Sequence, residues 1–327
     1  LSVAGHEIRN HQLEIVSGCQ MKRPYIASDN FERTVDRFLD QVLVGQWSTP
    51  HDQDALSALV RALREERADP ETTQWRRIEA RLGFDPDAAA AELVEAVGLL
   101  AEGYGLEAVE EAISAMPGTD AVTVLQRELD AAREQGHGCD FSALLSELPA
   151  VERPRSDPPW VAAEQSAAQV RSIGGISRGA INNAKLADLL GVARNALRQT
   201  TSGQGLNYGL RLAESGADSV QRVALRSKWP EARRFEFCRV LGDALWARDD
   251  RLGPIADTST SRQKFQRAFA QSLLCPVEDL LAYLKTEQPN DEDIDAAAKH
   301  FQVAPRMVES VLVNKGVVAR EQLAHRL

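Results

Sequence analysis

Three short patterns in this chain bring together residue types that can do chemistry. Gly175-Ile176-Ser177-Arg178-Gly179 has the G-x-S-x-G spacing with which serine hydrolases present a nucleophile. That chemistry needs a sharp strand-to-helix turn and acid and histidine partners. The residues before Ser177 read as helix, and no histidine lies between His137 and His300, so the glycines are expected to make a loop between helices. His6-Glu7 followed by His11 suggests a metal pair, but a five-residue spacing puts the rings about 140° apart on a helix, too far round to share one ion. Cys19, Cys139, Cys238 and Cys275 are widely spaced, with no C-x-x-C, and read as reduced packing residues.

A longer stretch, Arg233 to Pro276, carries more information. Phe237, Leu241 and Leu245 stand four residues apart and predict an amphipathic helix. Phe265, Phe269 and Leu273 repeat the spacing in a second helix stopped by Pro276. Cys238 and Cys275 sit in these two helices.

This pair resembles the core of the ImmA/IrrE family of bacterial metallopeptidases. Arg233-Arg234-Phe235 matches the opening of the family's first helix and Gly242 its middle. Phe269-Ala270 through Leu273-Leu274-Cys275-Pro276 match the close of the second. The resemblance covers roughly the C-terminal half and implies a zincin-like fold. Laid onto the family pattern, the two histidine ligand positions are Arg239 and Asp243, and the general-base position is Val240. The third-ligand position falls on Gln263 or Phe265, depending on alignment. A zinc peptidase needs two histidines at i and i+4, a third ligand and a glutamate base. A cation at a ligand position repels a divalent ion, and valine cannot accept a proton. The expectation is a peptidase fold without its chemistry: no metal, no cofactor, no catalytic residue. Arg239 and Asp243, four apart, are candidates to pair with each other where the metal would sit, as a product of drift or as a repurposed polar pocket.

The elements that must position this core read mainly as helices. Residues 1–26 show weak periodicity and read as an irregular lead. Residues 27–150 predict an all-helical domain, a bundle or short array. Its first helix is capped near Asp29 and Glu32 and is expected to bury Phe31, Val35, Phe38, Leu39 and Val42. A third helix ends at Gly83, and no convincing strand stands out in this half. Residues 151–159, with three prolines and alternating charge, predict a linker. Residues 160–327 are then an α+β domain. Asn207–Leu212 and Val220–Arg226 supply a small sheet, and a helix-turn-helix-like pair around Asp293–Phe301 and Pro305–Val313 closes it. A similar pair at Asn183–Leu197 would put Arg194, Asn195 and Arg198 on a DNA-reading helix. Packing is the competing role for both pairs, with Lys299, His300, Arg306 and Lys315 the notable positive groups of the second.

The 327 residues are 43% apolar and 26% charged, ordinary for a globular chain, with net charge −10. That acidity argues against broad binding to a phosphate backbone. No 18-residue apolar run or signal-peptide pattern is present, so the chain reads as cytoplasmic and without a membrane role. The resemblance implies a regulatory or scaffold protein that binds a repressor or defence component, in stress response, mobile-element or phage-related regulation. Two alternatives stay open: a helix-turn-helix transcriptional regulator, and an active zinc peptidase with displaced ligands.

Overall fold

A computed structural model describes residues 3–9, 12–17, 25–44, 50–151, 158–198, 205–213, 220–286 and 288–319. The chain divides into two compact units, and the division falls inside one helix, between Val94 and Glu95.

The first unit opens with strands β1 (Val3–Arg9), β2 (Gln12–Ser17) and β3 (Tyr25–Ala27) in an antiparallel sheet. Where an irregular lead was expected over 1–26, the described residues are strands: alternation too weak to single out one strand is matched by cross-strand pairing, Ile8 opposite Leu13 and Leu13 opposite Ile26. Helices α1 (Ser28–Val44), α2 (Pro50–Ala68) and α3 (Pro70–Leu82) follow. The stripe on α1 is not buried as expected: Phe38 is 61% exposed, and Val35, Leu39 and Val42 are half-buried. Local chemistry sets the ends of α3. The Asp69 carboxylate accepts from the N–H groups of Glu71 and Thr72, Pro70 occupies the first turn, and Gly83 ends the helix at φ 83°. His6 lies in β1, and His11 and Cys19 lie outside the described residues.

The second unit takes in the rest: α4 (Ala91–Tyr104, from Glu95 on), α5 (Leu106–Ala115), α6 (Ala121–Gln135), β4 (His137–Asp140), α7 (Ser142–Glu147), α8 (Pro159–Ile173) and α9 (Asn183–Leu190). A 3₁₀ turn (Arg194–Leu197), β5 (Gly209–Ala213), β6 (Val220–Ala224), α10 (Pro230–Trp246), β7 (Leu252–Ile255), α11 (Ser261–Leu274), α12 (Val277–Leu284), α13 (Asp291–Phe301) and α14 (Pro305–Asn314) follow. Four of these strands form an antiparallel sheet ordered β4-β6-β5-β7. The architecture is mainly helical with this small sheet, as the sequence predicts.

The 27–150 domain expected from the sequence is not one body. β4 is an edge strand of the second unit's sheet, with Cys139 opposite Gln221. Side chains of α5 and α6 reach into the same unit. Glu128 accepts from the backbone and side-chain N–H groups of Asn207, both at 3.0 Å, and Glu111 accepts from the hydroxyls of Thr258 at 2.7 Å and Thr260 at 2.6 Å. Of the linker expected over 151–159, residues 152–157 lie outside the described residues, and Pro159 already begins α8.

α10 and α11 pack against each other, and α11 also packs on α8. Phe237, Leu241 and Leu245 from one and Phe265, Phe269 and Leu273 from the other are all buried, as their spacing predicts. Gly242 permits the close approach, since a Cβ there would sit 3.0 Å from the Phe269 ring. Gly191 is a harder constraint. It ends α9 at φ 55°, and a Cβ would lie 2.2 Å from the Asp140 carbonyl oxygen. Gly191→Ala is therefore expected to cost about 2 kcal/mol or more. Gly175→Ala, at φ 65° but with open space around it, should cost only about 1 kcal/mol. Urea denaturation of the two variants checks the difference.

Candidate functional site

α10 is not amphipathic in the folded chain. Arg233, Arg234, Glu236, Arg239 and Asp243 are buried along with its apolar residues. Buried charge needs partners, and these partners make up the site.

Arg233 and Arg234 are capped by backbone carbonyls. Arg233 donates to Ala196, and Arg234 to Ile181 at 2.6 Å and Gln302 at 3.1 Å. Glu236 accepts from the N–H groups of Arg226 and Ser227 at 2.9 and 2.8 Å. The last two buried charges, Arg239 and Asp243, stand one turn apart and face α11 and β7.

Asp243 has both carboxylate oxygens fully engaged. Oδ1 accepts from Arg262 Nε at 2.6 Å and Gln266 Nε2 at 2.7 Å. Oδ2 accepts from Arg211 Nε at 2.9 Å and Arg262 Nη2 at 3.0 Å. Arg262 also binds Asp250 at 2.7 Å, and Arg211 reaches the Ala247 carbonyl at 3.2 Å. Burial by itself would push Asp243 up, but Arg262 and Arg211 outweigh it and hold its pKa below the usual range. Burial likewise opposes the charge on Arg262, and Asp243 and Asp250 more than offset it. The backbone of β7 comes so close that a Cβ on Gly253 would lie 1.9 Å from Asp243 Oδ2.

Arg239 does not pair with Asp243 as its spacing suggested. Its Nη2 donates to the Ala256 carbonyl and, at 2.6 Å, to Gln263 Oε1. Gln263 in turn accepts from the Ala256 N–H at 3.0 Å and donates to the Pro254 carbonyl at 2.8 Å. Gln266 donates to that carbonyl at 3.1 Å as well as to Asp243, so it joins the two halves of the network. Arg239 turns to α11 because Asp243 is already surrounded by Arg211 and Arg262.

The structure thus brings Arg239, Asp243 and Gln263 into one buried polar network, while Val240 and Phe265 lie in the apolar core. The sequence reading missed Arg211, Arg262 and Gln266. Arg262 and Gln266 are four apart on α11 and were a usable signal. Arg211, on a strand remote in sequence, carried none. The residues at the ligand positions do not suit zinc: one is a guanidinium, one an amide bonded at both ends, and the third a carboxylate with two arginines and a glutamine on its oxygens. Among the described residues, no group of three or more His, Cys, Asp or Glu is placed to hold a metal ion.

The other sequence candidates are dispersed. Arg194, Asn195 and Arg198 are exposed, but 194–197 form a single 3₁₀ turn rather than the recognition helix expected there. Four residues of 3₁₀ helix are too short to lie along a major groove. Ser177 lies on an exposed loop after a helix, and the Gly179 N–H is taken by Asp279 at 2.8 Å, so no strand-borne nucleophile turn forms. That loop borders a cavity of about 990 Å³ lined also by Trp160, Lys264, Cys275 and Lys315, and the polar network does not contribute to it. The His300 ring stacks on Tyr283 at 4.4 Å. Cys139, Cys238 and Cys275 are free and buried, and burial pushes each thiol up to about 12, as inert packing residues require.

No family model, curated protein or solved structure matches this chain. The resemblance read in the motifs of residues 233–276 draws no support from these comparisons.

Asp243→Leu should cost about 3–5 kcal/mol, because it leaves buried Arg211 without its counter-charge and takes from buried Arg262 one of its two carboxylates. Arg239→Met should cost less, about 1–2 kcal/mol, since it strands neutral acceptors rather than a charge. Chemical denaturation of both variants tests the order. The Asp243 contribution is complete above the unfolded carboxylate pKa of about 3.9 and is lost as pH falls through the lower folded value. Asp243→Asn should remove that part of the acid dependence, measured as stability against pH below about 4.

Proposed function

We propose that this protein is a non-catalytic relative of the ImmA/IrrE metallopeptidases, working as a regulatory or scaffold module that binds another protein. The observation that carries the reading is that the four positions drawn from the family pattern lie on two packed helices, yet none is available for chemistry. Asp243 and Gln263 are saturated by protein donors and acceptors, Arg239 carries a positive charge, and Val240 has no proton to exchange. A peptidase would need an open coordination position and a base beside it. Here that space is filled by hydrogen bonds that hold the helices together.

The protein partner in this proposal is a repressor or defence component, as the resemblance implies, in a bacterial cytoplasmic setting. No described helix is long and apolar enough to cross a membrane. The DNA-regulator alternative has less support, because among the described residues only a 3₁₀ turn, Arg194–Leu197, stands where the second helix of the first helix-turn-helix-like pair was expected.

Metal analysis of the purified full chain tests the reading. The expected result is far less than one zinc per chain after dialysis, no rise in melting temperature on adding zinc, and no cleavage of casein. Stoichiometric zinc that disappears in Asp243→Asn would falsify it. Salt-dependent binding to a DNA fragment, lost in Arg194→Ala/Arg198→Ala, would replace it with the DNA-binding alternative.

A further inference from the structure

One cation of the buried network is left poorly matched. Arg239 is 5% exposed, and its Nε is buried with no hydrogen-bond partner. Its Nη1 stands 3.7 Å from Asp257 Oδ1, beyond a good hydrogen bond. Burial chiefly, and then the charge of Arg267, push its pKa down to about 10. A buried donor without an acceptor calls for an explanation, and in an electropositive setting an incoming anion would complete it.

The surroundings supply that setting. Arg226 Nη2 donates to Asp257 Oδ2 at 2.9 Å, so the two oxygens of one carboxylate face two different guanidinium groups. Arg267, whose charge also acts on Asp257, donates to the carbonyl of neighbouring Thr258 at 2.9 Å. The second acid near Arg239 is Glu236, and it is committed to backbone N–H groups. The guanidinium groups of Arg226, Arg239 and Arg267 thus all act on the Asp257 carboxylate. That carboxylate is 67% exposed, on a side chain whose close contact, Arg226, is itself 44% exposed. An occupant held so lightly at the surface can be exchanged.

We propose that Arg226, Arg239 and Arg267 form a carboxylate-binding site, filled in the free chain by Asp257, that accepts a carboxylate from a partner protein in its place. The incoming group is an Asp or Glu side chain or a chain terminus. Two guanidinium groups that already bracket the two oxygens of one carboxylate suit this planar anion. The inference rests on the protein-binding reading above for the source of the carboxylate, though not for the site itself.

Asp257→Asn opens the site and, being exposed, should leave the fold intact. At constant ionic strength, replacing chloride by acetate should raise the melting temperature of this variant at least about twice as much as that of the unaltered chain. Adding Arg226→Gln should abolish the difference. Arg226 is the arm to remove because a change at buried Arg239 would test folding as well as binding. Equal responses to acetate and chloride in Asp257→Asn, or an undiminished acetate response in Asp257→Asn/Arg226→Gln, would overturn the proposal. Two peptides then identify the source by competing with acetate. One is blocked at both ends and carries a single Asp, and the other has a free carboxyl terminus as its only carboxylate. Competition by either supports the proposal and assigns the source, and competition by neither overturns it. Zinc bound at Asp243 would sink the non-catalytic reading while leaving the acetate result to stand or fall separately.

Discussion

The Asp243 carboxylate, fully buried between Arg211 and Arg262, is the constraint on which the second unit's core depends. Each of the three charges comes from a different element, β5, α10 and α11, so their meeting fixes the position of two helices against a sheet. A buried ion cluster of this kind does not stabilise merely by existing, since desolvation removes much of the Coulombic gain. Its force lies in the penalty for any arrangement that leaves one member unpaired. Slippage of α10 by one turn, or of β5 by one residue, would leave an unmatched charge in the interior.

The same interaction explains several features that look unrelated. α10 carries five buried charged or polar-ended residues yet tolerates burial on all sides, because sheet, loops and α11 supply partners for every one of them. β7 runs against α10 at a distance only glycine allows, and Gly253 is where the backbone yields to the carboxylate. Gln266 ties the Asp243 half of the network to the Arg239 half through the Pro254 carbonyl. A site organised in this way is suited to holding helices and poorly suited to turning over a substrate, because its donors and acceptors are already engaged with one another. Arg239 is the exception, and its incomplete satisfaction is what turns attention from the interior to the surface around Asp257.

The first unit follows a different economy. Its helices are held by caps and ion pairs, such as the half-buried Arg76 with buried Glu79, Glu66 and the exposed Asp87, and less by a dense apolar interior. Phe38 and Leu59 remain more than half exposed on helices whose periodicity was otherwise clear. Periodicity reports which residues share a face, and it does not report whether that face is covered.

Much was legible from the amino-acid order alone. The helices carrying Phe237, Leu241 and Leu245 and Phe265, Phe269 and Leu273 were readable because spacing at i and i+4 is a local property. The end of α3 at Gly83 and the turn at Gly191 were readable because positive φ selects glycine. β5 and β6 were visible as strand-like stretches, the second in its rough alternation, and Arg239, Val240 and Asp243 in what they lack as zinc ligands. Tertiary structure alone decided that β4, a four-residue strand with no β-former pattern, closes the sheet and pulls the preceding helices into the second unit. It alone decided that Asp243 pairs with Arg211 and Arg262 rather than with Arg239. Ion pairing in the interior goes to whichever charges the backbone brings within about 3 Å, and partners separated by 32 residues leave no trace in local spacing.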